Sequence, residues 1–260
     1  KRRPLRLEDW LAIGENLVKA GKDVVLSSLT LLEAASEVGS VRRICRNDRF
    51  LVEANDMAAV NIVSKLGLPF VAGPTLNIYN PLTLSLLAKQ GLCRWVPPLE
   101  MSSDALARMQ EEAPPGCECE VFAWGRLPLA WSARCYTARA ENRPKDQCEL
   151  ACLADPDGRL IYTREDKPFL VLNGIQTQSA LTQNLAHYLG ELCDLGVDAI
   201  RLSPQSTDMA QIVACFHTLI HDRGERQALA KLDGLATIAS CDGYWRGDAG
   251  FARPLEASQG

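Results

Sequence analysis

The sequence predicts an α/β fold, a TIM-like (β/α) barrel, on three observations. Strand-sized apolar segments alternate with helical ones, the step between them is regular, and no glycine-rich GxGxxG turn follows the first strand. The apolar segments fall at residues 23–30, 49–55, 68–79, 92–101, 117–129, 169–177 and 197–205. A βα step of roughly 25 residues repeated this often suits a closed barrel or an open doubly wound sheet, and the lack of a dinucleotide fingerprint favours the barrel. Seven strands leave such a barrel one short. The chain opens on Lys1 without an initiator Met and enters a helix-like pattern at once, so the first strand is expected upstream of it. One domain is expected over residues 1–260.

Taken in order, DVVLSSLT and RFLVEAN read as strands because apolar and β-branched residues cluster between polar flanks. TLLEAASEVGSVRRICRN between them places its apolar residues at three- and four-residue steps, as a helix does. NDMAAVNIVSKLG and NPLTLSLLAKQG, on either side of the strand LPFVAGPTLNIY, repeat that spacing and end in Gly. LCRWVPPLEM and CECEVFAWGRLPL extend the series, and FLVLNGIQT and VDAIRLSPQ close it, with ALTQNLAHYLGELCDLG between them expected as a helix. The spacing breaks once, after the strand near residue 118, where an insertion over residues 130–168 is expected.

Composition sets the class. With 28 Lys+Arg against 32 Asp+Glu, 47% hydrophobic and 23% charged residues, the chain is neither a disordered segment nor a nucleic-acid binder relying on net positive charge. No apolar run approaches the ~18 residues of a membrane-spanning helix, so a soluble, cytoplasmic protein is expected. Ten cysteines without a secretory signal do not suggest a disulfide scaffold.

The insertion is rich in charge and holds Cys135, Cys148 and Cys152. If CELAC is helical, Cys148 and Cys152 project from one face. Three thiols on a polar excursion suit a shared metal or Fe-S cluster better than burial; zinc and iron-sulfur are not separable by spacing. Cys117 and Cys119 read as small core residues sharing a strand face, as do Cys45, Cys93, Cys193 and Cys215 in apolar surroundings, while Cys241 is ambiguous. His217 and His221 have i, i+4 spacing without an acidic residue between them and read, with His187, as helix residues; the spaced pair is assigned to a solvated face. No GxSxG, HExxH or phosphate loop is present.

EVFAWGRLPLAWSARCYTARAENRPKDQCELAC, with FVAGPTLNIYN, VLNGIQTQS, IRLSPQSTD and CDGYWRGDAG, resembles the UbiU and UbiV branch of the collagenase-like peptidase superfamily over essentially the whole chain. The resemblance implies an α/β barrel carrying a 4Fe-4S cluster and acting with a UbiU-like partner as a heterodimer. The activity the resemblance implies for such a pair is hydroxylation, without dioxygen, of the aromatic ring of the isoprenoid ubiquinone precursor. Where UbiU-like and RNA-hydroxylase-like relatives have a Cys after the Leu of GxLxxxxSxxC, this sequence has Pro128, which resembles the UbiV side.

By the same resemblance, three cluster thiolates map onto Cys135, Cys148 and Cys152, and the fourth is a Cys just upstream of a KRR triplet. Here that triplet is Lys1 to Arg3, so the fourth ligand is expected before Lys1, with Cys117, Cys119 or Cys241 as substitutes only if within reach. The relatives imply an oxygen donor such as prephenate. Arg126, Arg134 and Arg201 are candidate carboxylate partners, each equally explicable as a surface cation. Asn77, Tyr79, Asn173, Gln176 and Ser203 are candidates for the barrel mouth, or for helix caps. The alternatives are an RNA base hydroxylase of the same superfamily and a non-catalytic barrel that stabilises its partner; the pI near 5.5 offers little for RNA. No nucleic acid partner is expected, and peptidase chemistry is the least favoured reading.

Overall fold

The computed structural model describes residues 6–144, 147–206, 208–221 and 225–252. The chain divides into two compact units, Lys1–Pro98 with Glu112–Cys119, and Leu99–Glu111 with Glu120–Gly260. Each of the seven expected extended segments contains a strand.

The first unit follows the βα alternation. After helix α1 (Leu7–Lys19) come β1 (Val25–Ser27), α2 (Ala35–Cys45), β2 (Leu51–Ala54), α3 (Met57–Lys65), β3 (Phe70–Ala72), α4 (Pro81–Ala88) and β4 (Leu92–Trp95). The four strands lie side by side in chain order and all pair in parallel, and β4 continues the pattern onto Glu118 and Cys119. Strands covered on both faces read as short apolar runs, and β3 is buried at all three residues. Helix starts follow the local chemistry. Asp56 Oδ1 accepts from Ala58 N at 2.7 Å to cap α3, and Asn80 Oδ1 accepts from Thr83 N at 2.9 Å to cap α4, whose first residue is proline. Val41, Cys45, Val60, Phe70, Leu84 and Trp95 are fully buried in this core.

The second unit mixes parallel and antiparallel pairing. It contains α5 (Ser103–Glu111) and most of β5 (Glu118–Trp131), then α6 (Tyr136–Ala140), β6 (Arg159–Tyr162), β7 (Pro168–Asn173) and β8 (Gln176–Asn184). α7 (Leu189–Asp194), β9 (Ala199–Leu202), α8 (Met209–His221), α9 (Glu225–Leu235) and β10 (Ser240–Cys241) complete it. β5 pairs in parallel with β9 and antiparallel with β8, which continues antiparallel through β7 to β6 and takes β10 in parallel on its other side. Trp124 and Phe216 meet edge to face at 6.2 Å, and Leu127, Leu185, Ile212 and Leu232 are also buried in this unit.

One expectation needs correction here. The segment 180–196, expected as one helix, is the end of β8 followed by a 3-10 turn and the short α7. β8 has neighbours on both sides and buries Thr182, Gln183 and Asn184 in succession, so the alternation that marks a half-buried strand is missing. The expected insertion supplies α6 and β6 and leads into the β7–β8 hairpin. The chain is thus an α/β fold whose first unit has the order expected of a (β/α) barrel, and whose second adds an antiparallel ribbon. Among the described residues no helix is long and apolar enough to cross a membrane.

Candidate functional site

The cysteine-bearing excursion is built on the β7–β8 hairpin. The turn between Asn173 and Gln176 is two residues long, and Gly174 takes φ 65°, a conformation that costs a residue with a Cβ. Both peptide groups of Gly174 are used by α6: Tyr136 N donates to its carbonyl at 2.7 Å, and its N–H donates to Thr137 Oγ1 at 3.1 Å. Ser132 N donates to Ile175 O at 2.9 Å. Cys135 is the residue before α6, and its Sγ accepts from Ala138 N at 3.5 Å. α6 packs against β7 and against the 3-10 turn Ala151–Leu153, which carries Cys152.

Cys148 and Cys152 are not on an α-helix, which corrects the shared-face argument. Glu149 and Leu150 between them both adopt left-handed backbone, with φ of 48° and 56°, and a 3-10 turn follows. Ion pairs hold the segment around this reversal. Arg143 Nη1 meets Glu149 Oε2 at 2.5 Å, and Arg159 of β6 meets Glu141 at 2.7 Å and Asp155 at 3.2 Å. Cys135, Cys148 and Cys152 are all free thiols and all partly exposed. Soft, reachable thiols on one anchored excursion are the donor chemistry an iron-sulfur cluster requires. Among the described residues no three His, Cys, Asp or Glu side chains converge as a ligand set in this conformation. Lys145 and Asp146 of the excursion, and the Lys1 to Arg3 triplet, lie outside the described residues.

The remaining cysteines separate by environment. Cys45, Cys119, Cys215 and Cys241 are buried. Burial pushes the Cys45 thiol up to about 11, and burial with the adjacent Asp242 carboxylate pushes Cys241 to about 12, so both resist becoming thiolate ligands. Cys193, expected in the core, is exposed on the short α7, and Cys93 is only partly buried, its Sγ donating to Phe70 O at 3.3 Å. Cys117 is partly exposed. His217 and His221 stand on an exposed face of α8 with ring centroids 4.5 Å apart, as expected, and His187 lies in the 3-10 turn before α7.

The three candidate arginines differ. Arg201 is committed to Glu120, Nε to Oε1 at 2.6 Å, and Arg134 is exposed. Arg126 is 7% exposed; its Nη1 donates to the Asp157 carbonyl at 2.7 Å, and its Nε is buried without a partner. Burial lowers its pKa from the usual guanidinium range, with the Asp157 carboxylate partly opposing. Asn173 and Gln176 face each other across the hairpin turn under α6. Ser203 N donates to Trp124 O at 2.8 Å, where Gly125 leaves room for the Ser203 side chain. In the first unit, Asn77 is the left-handed residue ending the turn Pro74–Leu76, and Tyr79 is half-exposed.

The sequence reading missed a polar cluster at the carboxyl ends of β1–β3. Glu53 and Asn55 are 7% and 4% exposed. Asn55 Nδ2 donates to Glu53 Oε1 at 3.0 Å and to Ser27 Oγ at 2.9 Å, Ser27 Oγ donates to Glu53 Oε1 at 3.2 Å, and Thr75 Oγ1 donates to the Asn55 carbonyl at 2.7 Å. The available signal was a Glu and an Asn two residues apart at the end of an apolar run, one strand face carrying both.

A comparison with family profiles fits this architecture. The profile of Peptidase family U32 matches residues 15–245. The chain is a member of that family. In this U32 member the match runs through both units and spans the excursion with Cys135, Cys148 and Cys152.

Proposed function

We propose that this U32 protein is a UbiV-type 4Fe-4S subunit of an oxygen-independent hydroxylase, acting with a UbiU-like partner on the aromatic ring of the isoprenoid ubiquinone precursor in the cytoplasm. The observation that carries the reading is the set of three free, partly exposed thiols on an excursion anchored at Gly174. Pro128 supports the UbiV assignment. It takes the place where UbiU-like relatives carry a cysteine, and it sits at a register shift of β5 opposite Gln178, a place where a residue without an N–H is tolerated.

Cys135, Cys148 and Cys152 would hold the cluster with a fourth ligand from elsewhere, and a bound cluster supplies one-electron transfer. The chain's own residues do the placing. Gly174 and Thr137 fix the start of α6 and with it Cys135, while Arg143 and Arg159 hold the reversal that carries Cys148 and Cys152. The test is anaerobic purification with the UbiU-like partner, followed by iron and sulfide analysis and electron paramagnetic resonance. About four iron and four sulfide per chain, lost in Cys148→Ala and Cys152→Ala together with ring hydroxylation while the partner still binds, is the expected result. Zinc, no metal, or full hydroxylation by the Cys variants overturns it, the last leaving a non-catalytic scaffold.

A further inference from the structure

Helix α8 is seated in the second unit by one face. Ile212, Cys215 and Phe216 are buried there, and Phe216 meets Trp124 edge to face. The helical period then turns the opposite face outward, where Ala210, Val213, Ala214, His217, Ile220 and His221 are exposed. His217 and His221 lie one turn apart on that face, with ring centroids 4.5 Å apart and ring planes inclined by 53°. Among the described residues neither imidazole has a hydrogen-bond or ion-pair partner, and each has the other as its ring contact. His217 also borders a shallow groove that runs along α8 past Met209, Val213 and Thr218, so the pair is reachable from solvent.

Two neutral imidazoles in that relation are a chelating pair. The i, i+4 spacing is the one by which a helix offers two ring nitrogens to a single metal ion. The buried side of α8 fixes both backbone positions, so an arriving ion has little left to order. His221 ends the helix, where the aligned peptide dipoles favour positive charge. Imidazole nitrogen suits zinc, nickel and copper, whereas magnesium and calcium prefer oxygen. Two nitrogens fill part of a coordination shell, and the exposed face leaves the rest to water. Such an open site exchanges its ion readily, unlike a closed structural one.

We propose that His217 and His221 together bind a divalent transition-metal ion of the zinc, nickel and copper class on the exposed face of α8. The site shares no residue with the thiol excursion and does not depend on a cluster there. Tag-free full chain, its accessible thiols capped with N-ethylmaleimide, is titrated with nickel chloride by calorimetry at neutral pH, with magnesium chloride as the control ion. One saturable nickel site in the micromolar range is the expected result, weakened by roughly tenfold or more in His217→Gln and in His221→Gln and unchanged in His187→Gln, which alters the remaining histidine. All three positions are exposed, so the variants should melt with the wild type. Absence of saturable nickel binding, wild-type affinity in either His217→Gln or His221→Gln, equal weakening by His187→Gln, or magnesium binding as tight as nickel would each overturn the assignment.

Discussion

A methyl group added at Gly73 runs into the Asn55 side-chain oxygen and comes within 3.2 Å of Glu53 Oε1. Gly73 follows β3 at the level of Asn55, which lies flat across it because no Cβ is in the way. Asn55 has little freedom to retreat, since its amide nitrogen is engaged by Ser27, Glu53 and the Ser28 carbonyl. Gly73→Ala must therefore eject the amide. The loss is one hydrogen bond to a carboxylate, worth about 1.5–3 kcal/mol, and one or two neutral ones worth about 0.5–1.5 kcal/mol each. Allowing for partial relaxation, the expected destabilisation is about 2–4 kcal/mol, or roughly 5–10 °C in melting temperature for a chain of this size. Urea and thermal melts followed by circular dichroism measure it. The mechanism makes a sharper demand in a double-mutant cycle. Once Asn55 is Ala the overlap with its amide is gone and only the 3.2 Å approach to Glu53 Oε1 remains, so Gly73→Ala should cost far less in the Asn55→Ala background than in the wild type. Additive losses would refute the reasoning, as would a Gly73→Ala protein that melts with the wild type.

The buried and exposed cysteines should answer serine differently: Cys45→Ser places a hydroxyl at a fully buried core position and is expected to cost about 1–3 kcal/mol, whereas Cys148→Ser and Cys152→Ser should stay within about 0.5 kcal/mol in metal-free protein. Thiol ionisation gives a pH signature. Cys45 ionises near 9.0 when unfolded but only at about 11 when folded, so its contribution is intact below pH 9 and is lost as the pH rises to 11, with a slope of at most ~1.4 kcal/mol per pH unit. Denaturant melts between pH 8 and 11 should show the fall, and Cys45→Ala should remove that part of it. Arg159→Ala releases Glu141 and Asp155 together. Limited proteolysis should then cut faster between residues 141 and 158, with the core melt unchanged.

The first unit was legible because each short parallel strand is a compact, mainly apolar run and the helices between them keep a three- and four-residue apolar step, two of them, α3 and α4, also carrying side-chain caps in Asp56 and Asn80. β8 was not, because burial on both sides replaces alternation by a mixed polar run whose Thr182, Gln183 and Asn184 are satisfied or strained only in three dimensions. The thiols of the excursion could be picked out by spacing and surroundings, but the left-handed pair Glu149–Leu150 that keeps CELAC from being a helix has no local signature, since neither residue is Gly or Asn. Arg126 stood level with Arg134 and Arg201 in the sequence; what separates it is burial and a bond to the Asp157 carbonyl where Arg201 has a direct ion pair with Glu120, a fact of long-range pairing. Glu53 and Asn55 were overlooked for the same reason. A single charged residue in a strand gains meaning only when Ser27 and Thr75 arrive beside it.

The docking of α6 on Gly174 has a consequence for synthesis. Cys135 is positioned by a turn that lies about forty residues further along the chain. On a ribosome adding roughly 5–20 residues per second, the three thiols therefore emerge several seconds before the hairpin that supports them can close. During that interval they are reachable by oxidants and by any metal at hand, and only afterwards does α6 find its two peptide partners. The order of emergence leaves the three thiols more open in the nascent chain than in the folded protein, where each is only partly exposed.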